Sequence, residues 1–373
     1  MTGRQRVNKL LIVDDSALMR KLLTNIFEPQ PDFETKTARN AEDALARLHE
    51  FEPDVISLDI NMPGQDGLQC LRRIMVERPT PVVMFSSLTA SGAAVTIEAM
   101  AAGAVDYLEK PSGITSLNFD SVAALYIEKI RTAIKAKVRR SQGLVQRLRE
   151  RNVGTQRTKH KSPTAMHGRL ASATEQGVVL IGVSTGGPKT LEDILPYLPA
   201  SFPWPVVVAQ HMPASFTKAL AQRMDKLCAL DVVEVTRQLQ LKAGTIYIGM
   251  GDADVLLRSR AQGIIVMPCP SSSEFPWHPS VDALVKSAQT VLSPTQIIGV
   301  LLTGMGDDGA TEMAKLKMAG GHTIAESEET AIVNGMPREL IEKGGAELVL
   351  PAEHIAAQLV SWLTARETSD GVR

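Results

Sequence analysis

Gly177-Val178-Val179-Leu180-Ile181-Gly182-Val183-Ser184-Thr185-Gly186-Gly187-Pro188 begins with an apolar, β-branched run that stops abruptly at a serine. Such a run reads as a buried strand of a parallel sheet. Gly186, Gly187 and Pro188 then open a helix, Pro being at home in a first helical turn. A strand that turns this tightly into a helix lifts the Ser184 hydroxyl to the rim of its sheet. There it serves as a nucleophile, or the N–H groups of the helix start cradle an anion. Gly182-x-Ser184-x-Gly186 fits the nucleophile elbow, and the same three letters fit a phosphate-binding turn or a plain strand–helix corner.

Strand–helix alternation continues from this point to the C-terminus. Strands are expected at Val178–Val183, Val206–Gln210, Val232–Val235, Thr245–Gly249, Val255–Arg258, Ile264–Met267, Ile297–Thr303, His322–Ala325 and Glu347–Leu350. Helices are expected near Pro188–Leu198, Ser215–Leu227, Val281–Leu292, Asp308–Met318, Pro337–Lys343 and Glu353–Ala365. Between Asp231 and Met267 strands follow one another with little helix, which predicts an antiparallel hairpin excursion beside a parallel sheet.

A nucleophilic serine needs a base, and the base needs an orienting acid. His211 follows the buried run Pro205–Gln210 and emerges at the same sheet edge as Ser184. His49 lies in the first segment and His160 and His167 in a polar connector. His354 stands near the last helix, His278 ahead of a helix that Ser280 caps, and His322 starts a strand at the opposite edge. The third buried run, Ile297–Thr303, ends in Gly304-Met305-Gly306-Asp307-Asp308-Gly309. Either acid could face the histidine or cap the following helix, and pattern alone does not separate Asp307 from Asp308.

The first segment alternates in the same way. Strands fall at Leu10–Asp15, near Thr35, and at Val55–Asp59, Pro81–Ser86 and Asp106–Glu109, with Ser16 capping the first helix. This predicts a doubly wound parallel sheet whose ligands gather at the carboxyl ends of the strands. Asp14, Asp15, Asp59, Ser86 and Lys110 collect there. Three carboxylates at one edge repel unless a hard cation sits among them, and Mg²⁺ prefers such oxygen ligands. A carboxylate beside Mg²⁺, with a lysine and a hydroxyl nearby, can accept a phosphoryl group as an acyl phosphate.

The 373 residues suit two or three domains, each large enough to bury its own core. With 40 Lys+Arg against 41 Asp+Glu, overall charge argues for neither nucleic acid nor an anionic membrane as partner. Cys70, Cys228 and Cys269 form no CxxC pair, which argues against a disulfide framework or a zinc site and suits a reducing compartment. No apolar run reaches the roughly 18 residues of a membrane span, and no signal-peptide core is present. A cytoplasmic protein without membrane insertion is expected. Between Lys135 and Arg169 eleven Lys/Arg face one acid, Glu150, and from Asn152 to Gln176 apolar residues are scarce. The boundaries read as 1–134, a basic flexible linker at 135–176, and 177–373.

Val13-Asp14-Asp15-Ser16, Leu58–Pro63 with Asp66-Gly67, Ser86-Ser87 and Lys110-Pro111 resemble the response-regulator receiver domain. The resemblance implies that Asp59 is the phosphoryl acceptor and that Asp14, Asp15 and Asp59 hold Mg²⁺. It further implies that Ser86, Lys110 and Tyr107 form the switch, with a histidine kinase as phosphodonor.

Ile181–Pro188, Gln210–Pro213 with Phe216-Thr217, Pro279–Asp282, Leu302–Gly309 and Asn334–Pro337 are similar to the chemotaxis receptor protein-glutamate methylesterases. The likeness spans nearly the whole chain apart from the linker and the last residues. It implies a flavodoxin-like receiver followed by an α/β methylesterase domain that needs no cofactor of its own. It aligns Asp308 with the triad acid, beside Ser184 and His211, and makes the backbone N–H of Met305 an oxyanion donor; that of Thr185 is a second candidate. It implies hydrolysis of glutamyl methyl esters, and deamidation of glutamines, on chemoreceptor helices. The receiver would cover the cleft until phosphorylated. Two segments depart from the family pattern: Ile248–Asp254, and Trp277-His278 where an Arg or similar residue is common. A non-enzymatic adaptor or a phosphate-binding output module under receiver control is the alternative. The second lacks an acid near Pro203–Pro205, where a nucleotide fold puts its ribose ligand.

Overall fold

A computed structural model describes residues 7–62, 66–86, 89–110, 119–138 and 177–369. The expected linker beyond residue 138, with His160 and His167, lies outside the described residues, as do Ser87 and Pro111.

The first sheet is built from β1 (Asn8–Val13), β2 (Phe33–Ala38), β3 (Val55–Asp59), β4 (Val82–Ser86) and β5 (Asp106–Glu109). The helices between and after them are α1 (Ala17–Phe27), α2 (Ala41–Glu50), α3 (Gly67–Glu77), α4 (Ala90–Ala102) and α5 (Phe119–Ile134). All strands pair in parallel, in the order β2-β1-β3-β4-β5. Local chemistry sets the helix starts: Ser16, Asn40, Asp66 and Thr89 each accept a first-turn backbone N–H. Strand order reverses between β1 and β3, so Asp14 and Asp59 leave the sheet at its switch point.

The second sheet has seven strands. After β6 (Val178–Val183) come α6 (Gly187–Ile194), β7 (Val206–Gln210), α7 (Ala214–Leu227) and β8 (Asp231–Val235). Then follow β9 (Leu239–Gln240), β10 (Thr245–Gly249), β11 (Ala253–Arg260), β12 (Gly263–Pro270) and α8 (Val281–Gln289). The chain closes with β13 (Ile297–Leu301), α9 (Ala310–Met318), β14 (His322–Glu326), α10 (Met336–Glu342), β15 (Leu348–Leu350) and α11 (Ala352–Ser369). The order is β15-β14-β13-β6-β7-β10-β8, again all parallel. Every residue of β6, β7 and β13 is buried, and each large aliphatic there contributes roughly 1.5–3 kcal/mol.

The antiparallel excursion is smaller than the sequence implies. β8 and β10 join the main sheet in parallel, and only β11, β12 and the two-residue β9 form the separate antiparallel sheet. The helix expected over Pro188–Leu198 ends at Ile194 and continues as a 3₁₀ turn, Leu195–Tyr197, because Pro196 cannot donate to an α-helical ladder.

The two sheets are joined by an interface. Helix α4 packs on α6 and α7, and the Tyr107 ring lies 4.3 Å from that of Phe216. The N–H of Gly186 donates to Val105 O at 3.1 Å. The first residues of the expected linker are anchored rather than free: Lys137 N donates to Ile332 O at 3.0 Å and its ammonium pairs with Glu328 at 2.9 Å. No helix among the described residues is long and apolar enough to cross a membrane.

Candidate active site and phosphorylation site

β6 delivers Ser184 to the reversal point of the second sheet, where strand order turns from β6 towards β13. Ser184 N donates to Thr303 O at 2.9 Å, which ties the elbow to the loop after β13. Gly186 adopts φ +81°, the left-handed region a side chain rarely enters. Gly304 is required for space, since a Cβ there would come within 2.7 Å of Ser184 Cβ.

β7 and the loop after β13 bring the other two residues to the same edge. His211 Nε2 lies 2.7 Å from Asp308 Oδ2, with side chains only 7% and 5% exposed. An ionised carboxylate can only accept, so Nε2 carries the hydrogen and Nδ1 keeps its lone pair. Nδ1 is buried without a partner among the described residues.

Asp308 is held from four directions. Oδ2 also accepts from Val281 N at 2.7 Å, while Oδ1 accepts from Ser280 Oγ and Asp282 N, each at 3.0 Å. Two of these donors are the free N–H groups that begin α8, so the positive end of that helix faces the carboxylate. Burial pushes the Asp308 carboxyl up, but the hydrogen bond from His211, the positive charge that ring carries once protonated, and the two backbone donors outweigh it and leave it below its ordinary value. Asp307, which the sequence pattern left equal to Asp308, is exposed.

Three residues make contacts here to which the sequence pattern assigned no role. The Gln210 carboxamide donates to Ser184 O at 2.9 Å and His211 O at 3.2 Å, bridging serine and histidine through their backbones. Glu326, wholly buried on β14, accepts from Thr303 N at 2.8 Å. Burial raises its carboxyl to about 7 against the pull of that N–H. Trp277 stacks on the His211 ring. Apart from the Gln210–His211 bond, each of these contacts joins segments distant in sequence, which no local pattern signals.

The oxyanion candidates lie on either side of Ser184. Met305 follows Gly304, and its thioether takes a hydrogen bond from Thr132 of α5. The Thr185 hydroxyl donates to Asp106 Oδ2 at 2.9 Å. Both contacts come from the first domain, which closes the cleft into a cavity of about 420 Å³. Its walls include Ser184, His211, Trp277 and Met305 on one side and Tyr107 and Lys129 on the other.

At the first sheet's edge, Asp14, Asp15 and Asp59 bring carboxylate oxygens within 4.8 Å of one another. Lys110 Nζ stands 2.9 Å from Asp14 Oδ2 and 2.7 Å from Asp59 Oδ2. Each carboxylate oxygen has more than one lone pair, so the contact with Lys110 leaves both oxygens able to accept further. One ammonium against three carboxylates leaves an excess of negative charge, and that donor set fits a hard divalent cation. Burial raises the Asp59 carboxyl above its ordinary value, Lys110 drawing it down and Asp14 pushing it up. Ser86 is fully buried at the end of β4, and its carbonyl accepts the Lys110 N–H at 2.8 Å. Tyr107 is buried against the second domain, with Lys129 Nζ 5.0 Å from its ring centroid.

A receiver-type sheet whose last strand and last helix close over a serine and a histidine–aspartate pair defines a receiver-linked α/β hydrolase. Residues 10–118 match the response regulator receiver domain and residues 179–359 the CheB methylesterase family. The chain is 54% identical over 368 residues to protein-glutamate methylesterase/protein-glutamine glutaminase 3 of Rhodospirillum rubrum, covering 98% of this chain and 99% of that one. It is 51% identical to the corresponding protein 2 of Rhodopseudomonas palustris, over 95% of this chain and 98% of the relative. The solved catalytic domain of the Thermotoga maritima CheB methylesterase is 41% identical over 50% of this chain and 98% of its own, with a TM-score of 0.49. The chain belongs to the protein-glutamate methylesterase/protein-glutamine glutaminase family.

Proposed function

We propose that this chain hydrolyses γ-glutamyl methyl esters on chemoreceptor helices, and deamidates glutamines there, with Ser184, His211 and Asp308 as the catalytic residues. The observation that carries the reading is the bond between His211 Nε2 and Asp308, at the sheet's reversal point, with Nδ1 left free in the wall that holds Ser184. Ser184 Oγ attacks the ester carbonyl while His211 Nδ1 takes its proton and returns it to the departing methoxide. Asp308 keeps the hydrogen on Nε2 and stabilises the imidazolium that forms. The N–H groups of Met305 and Thr185 are the donors for the tetrahedral oxyanion, each worth about 3–4 kcal/mol. Water then releases the glutamate. For a glutamine the same steps expel ammonia, because the tetrahedral intermediate differs only in its leaving group.

In the receiver, Asp59 takes the phosphoryl group from a histidine kinase. Asp14, Asp15 and Asp59 are the residues that would hold Mg²⁺, which when bound offsets the charge of the phosphoryl oxygens. Lys110 pairs with the new charge and Ser86 can donate to it, drawing β5 with them. The contacts of Asp106 with Thr185 and of Thr132 with Met305 support a closed, slow form that phosphorylation opens.

The test is methanol release from methyl-labelled receptor membranes by the full chain, with and without an acyl-phosphate donor. Ser184→Ala and His211→Gln should each lower release by at least roughly 10³-fold. Release at the native rate by either variant would sink the triad.

A further inference from the structure

The proposed base is held by one hydrogen bond, His211 Nε2 to Asp308. A single bond along one ring edge leaves the plane of the imidazole free to tilt. What faces that plane is Trp277, its indole stacked on His211 with centroids 5.6 Å apart and planes 12° apart. The indole also reaches the proposed oxyanion turn: a Cβ on Gly306, the residue after Met305, would lie 3.7 Å from Trp277 Nε1. The strap that carries Trp277 is anchored by groups of the same site. His278 Nδ1 and Ser280 N both lie 2.9 Å from Asp254 Oδ1, and Asp254 is itself buried. Ser280 Oγ and Val281 N then bind Asp308.

We propose that Trp277 is a positioning residue for the hydrolysis, an inference that rests on the triad reading. Its indole keeps the His211 ring in the orientation in which Nε2 meets Asp308 and Nδ1 is left to the serine. It also spaces that ring from the Met305–Gly306 turn. The stack favours the reaction further because imidazolium, formed as the serine proton is taken, is drawn to an indole face more strongly than neutral imidazole. That attraction grows between ground state and transition state, so it acts on kcat rather than on substrate affinity.

The experiment uses the full chain treated with an acyl-phosphate donor, methyl-labelled receptor membranes as substrate, and active sites counted by the final stoichiometry of fluorophosphonate labelling. Trp277→Leu should lower kcat about 3- to 30-fold with KM within about twofold, and should slow labelling by a similar factor without changing its final stoichiometry. Trp277→Phe, which restores a ring face, should recover most of the loss. Should the leucine variant label at reduced stoichiometry, Trp277→Met, of similar volume and without a ring, takes its place. Native kcat in the ringless variant overturns the inference. So does a rise in KM alone, which would make the indole a substrate wall, or a phenylalanine variant as slow as the ringless one. His211→Gln separates the two claims. Activity retained there defeats the triad itself, whereas an inactive His211→Gln beside a fully active ringless variant defeats only the role of Trp277.

Discussion

Replacing Asp308 by asparagine tests the site most severely, because it keeps the shape of the residue and changes only what it can accept. In the native site two oxygens take hydrogens from His211, Val281, Ser280 and Asp282. An asparagine has one oxygen for these four donors. If that oxygen stays on Ser280 and Asp282, the amide NH₂ meets the Val281 N–H and the His211 edge. The imidazole then relieves the clash by moving its hydrogen to Nδ1, the atom required as base. Misassignment of the tautomer in an otherwise intact triad costs about 10⁴-fold in kcat, or about 5.5 kcal/mol of barrier. The unmatched Val281 donor adds about 1–3 kcal/mol of lost stability, a fall of roughly 2–12 °C in Tm for a domain of this size. The pH dependence has a definite sign. The Asp308 carboxyl lies below its ordinary value when folded, so its contribution is fully present above that ordinary value and fades only as pH falls through the lowered one. The stability deficit of Asp308→Asn should therefore be flat with respect to Asp308 ionisation between pH 6 and 8. Methanol release normalised to folded protein, with Tm from circular dichroism, reads both effects. A variant within tenfold of native at equal folded concentration refutes the reasoning, whatever its stability.

Other outcomes follow from single contacts. Asp59→Asn should abolish uptake of label from an acyl-phosphate donor and leave release at its unstimulated rate; label appearing at the native rate would remove Asp59 as acceptor. Glu326→Gln keeps an oxygen for the Thr303 N–H but has no charge to bury. With the native carboxyl raised from 4.5 to about 7, native stability should fall as pH rises through that window and level off above it. Relative to native, the variant should gain up to about 3 kcal/mol between pH 4.5 and pH 8. Denaturant unfolding at the two pH values reads the difference, and parallel curves would show that Glu326 is not a buried acid of this kind.

The three runs Val178–Val183, Val206–Gln210 and Ile297–Leu301 made Ser184, His211 and one of two acids legible, because buried parallel strands advertise themselves by unbroken β-branched sequence. Periodicity could not choose between Asp307 and Asp308. The choice depends on which side chain faces the start of α8, and strand order, not local sequence, puts α8 there. The same limit hid Gln210, Glu326 and the Trp277 stack. β8 and β10 looked like hairpin strands because the chain between them holds no helix. Yet they pair in parallel in the main sheet, bridged by a stretch that includes only the two-residue β9. Ser16, Asn40, Asp66 and Thr89 show the opposite case, since a cap acts within three residues and is written locally. Nothing in the order of residues pairs Asp106 with Thr185; that contact belongs to the docking of two domains.

The proposed regulation would run through one short strand. β5 has four residues, about 13 Å of stiff chain. At its carboxyl end Lys110 pairs with Asp59. At its start Asp106 holds Thr185, next to the serine, and Val105 accepts the Gly186 N–H. Glu109 reaches Ser215 at 3.2 Å. A phosphoryl group on Asp59 brings −1.5 to −2 of charge, so Lys110 must shift towards it from its shared place between Asp14 and Asp59. A strand this short would transmit that shift to the elbow. The three hydrogen bonds that Val105, Asp106 and Glu109 make across the interface contribute about 0.5–1.5 kcal/mol each, a closing bias of roughly 2–4 kcal/mol that one phosphorylation event can overcome. The bias corresponds to roughly 30- to 900-fold between open and closed populations. Asp106→Asn, which loses the charge pair with Lys129 and weakens the Thr185 bond, should raise the unphosphorylated rate about three- to tenfold and leave the phosphorylated rate unchanged. An unphosphorylated rate equal to native would show that closure is held elsewhere, leaving the packing of α4 on α6 and α7 and the Tyr107–Phe216 contact to carry it.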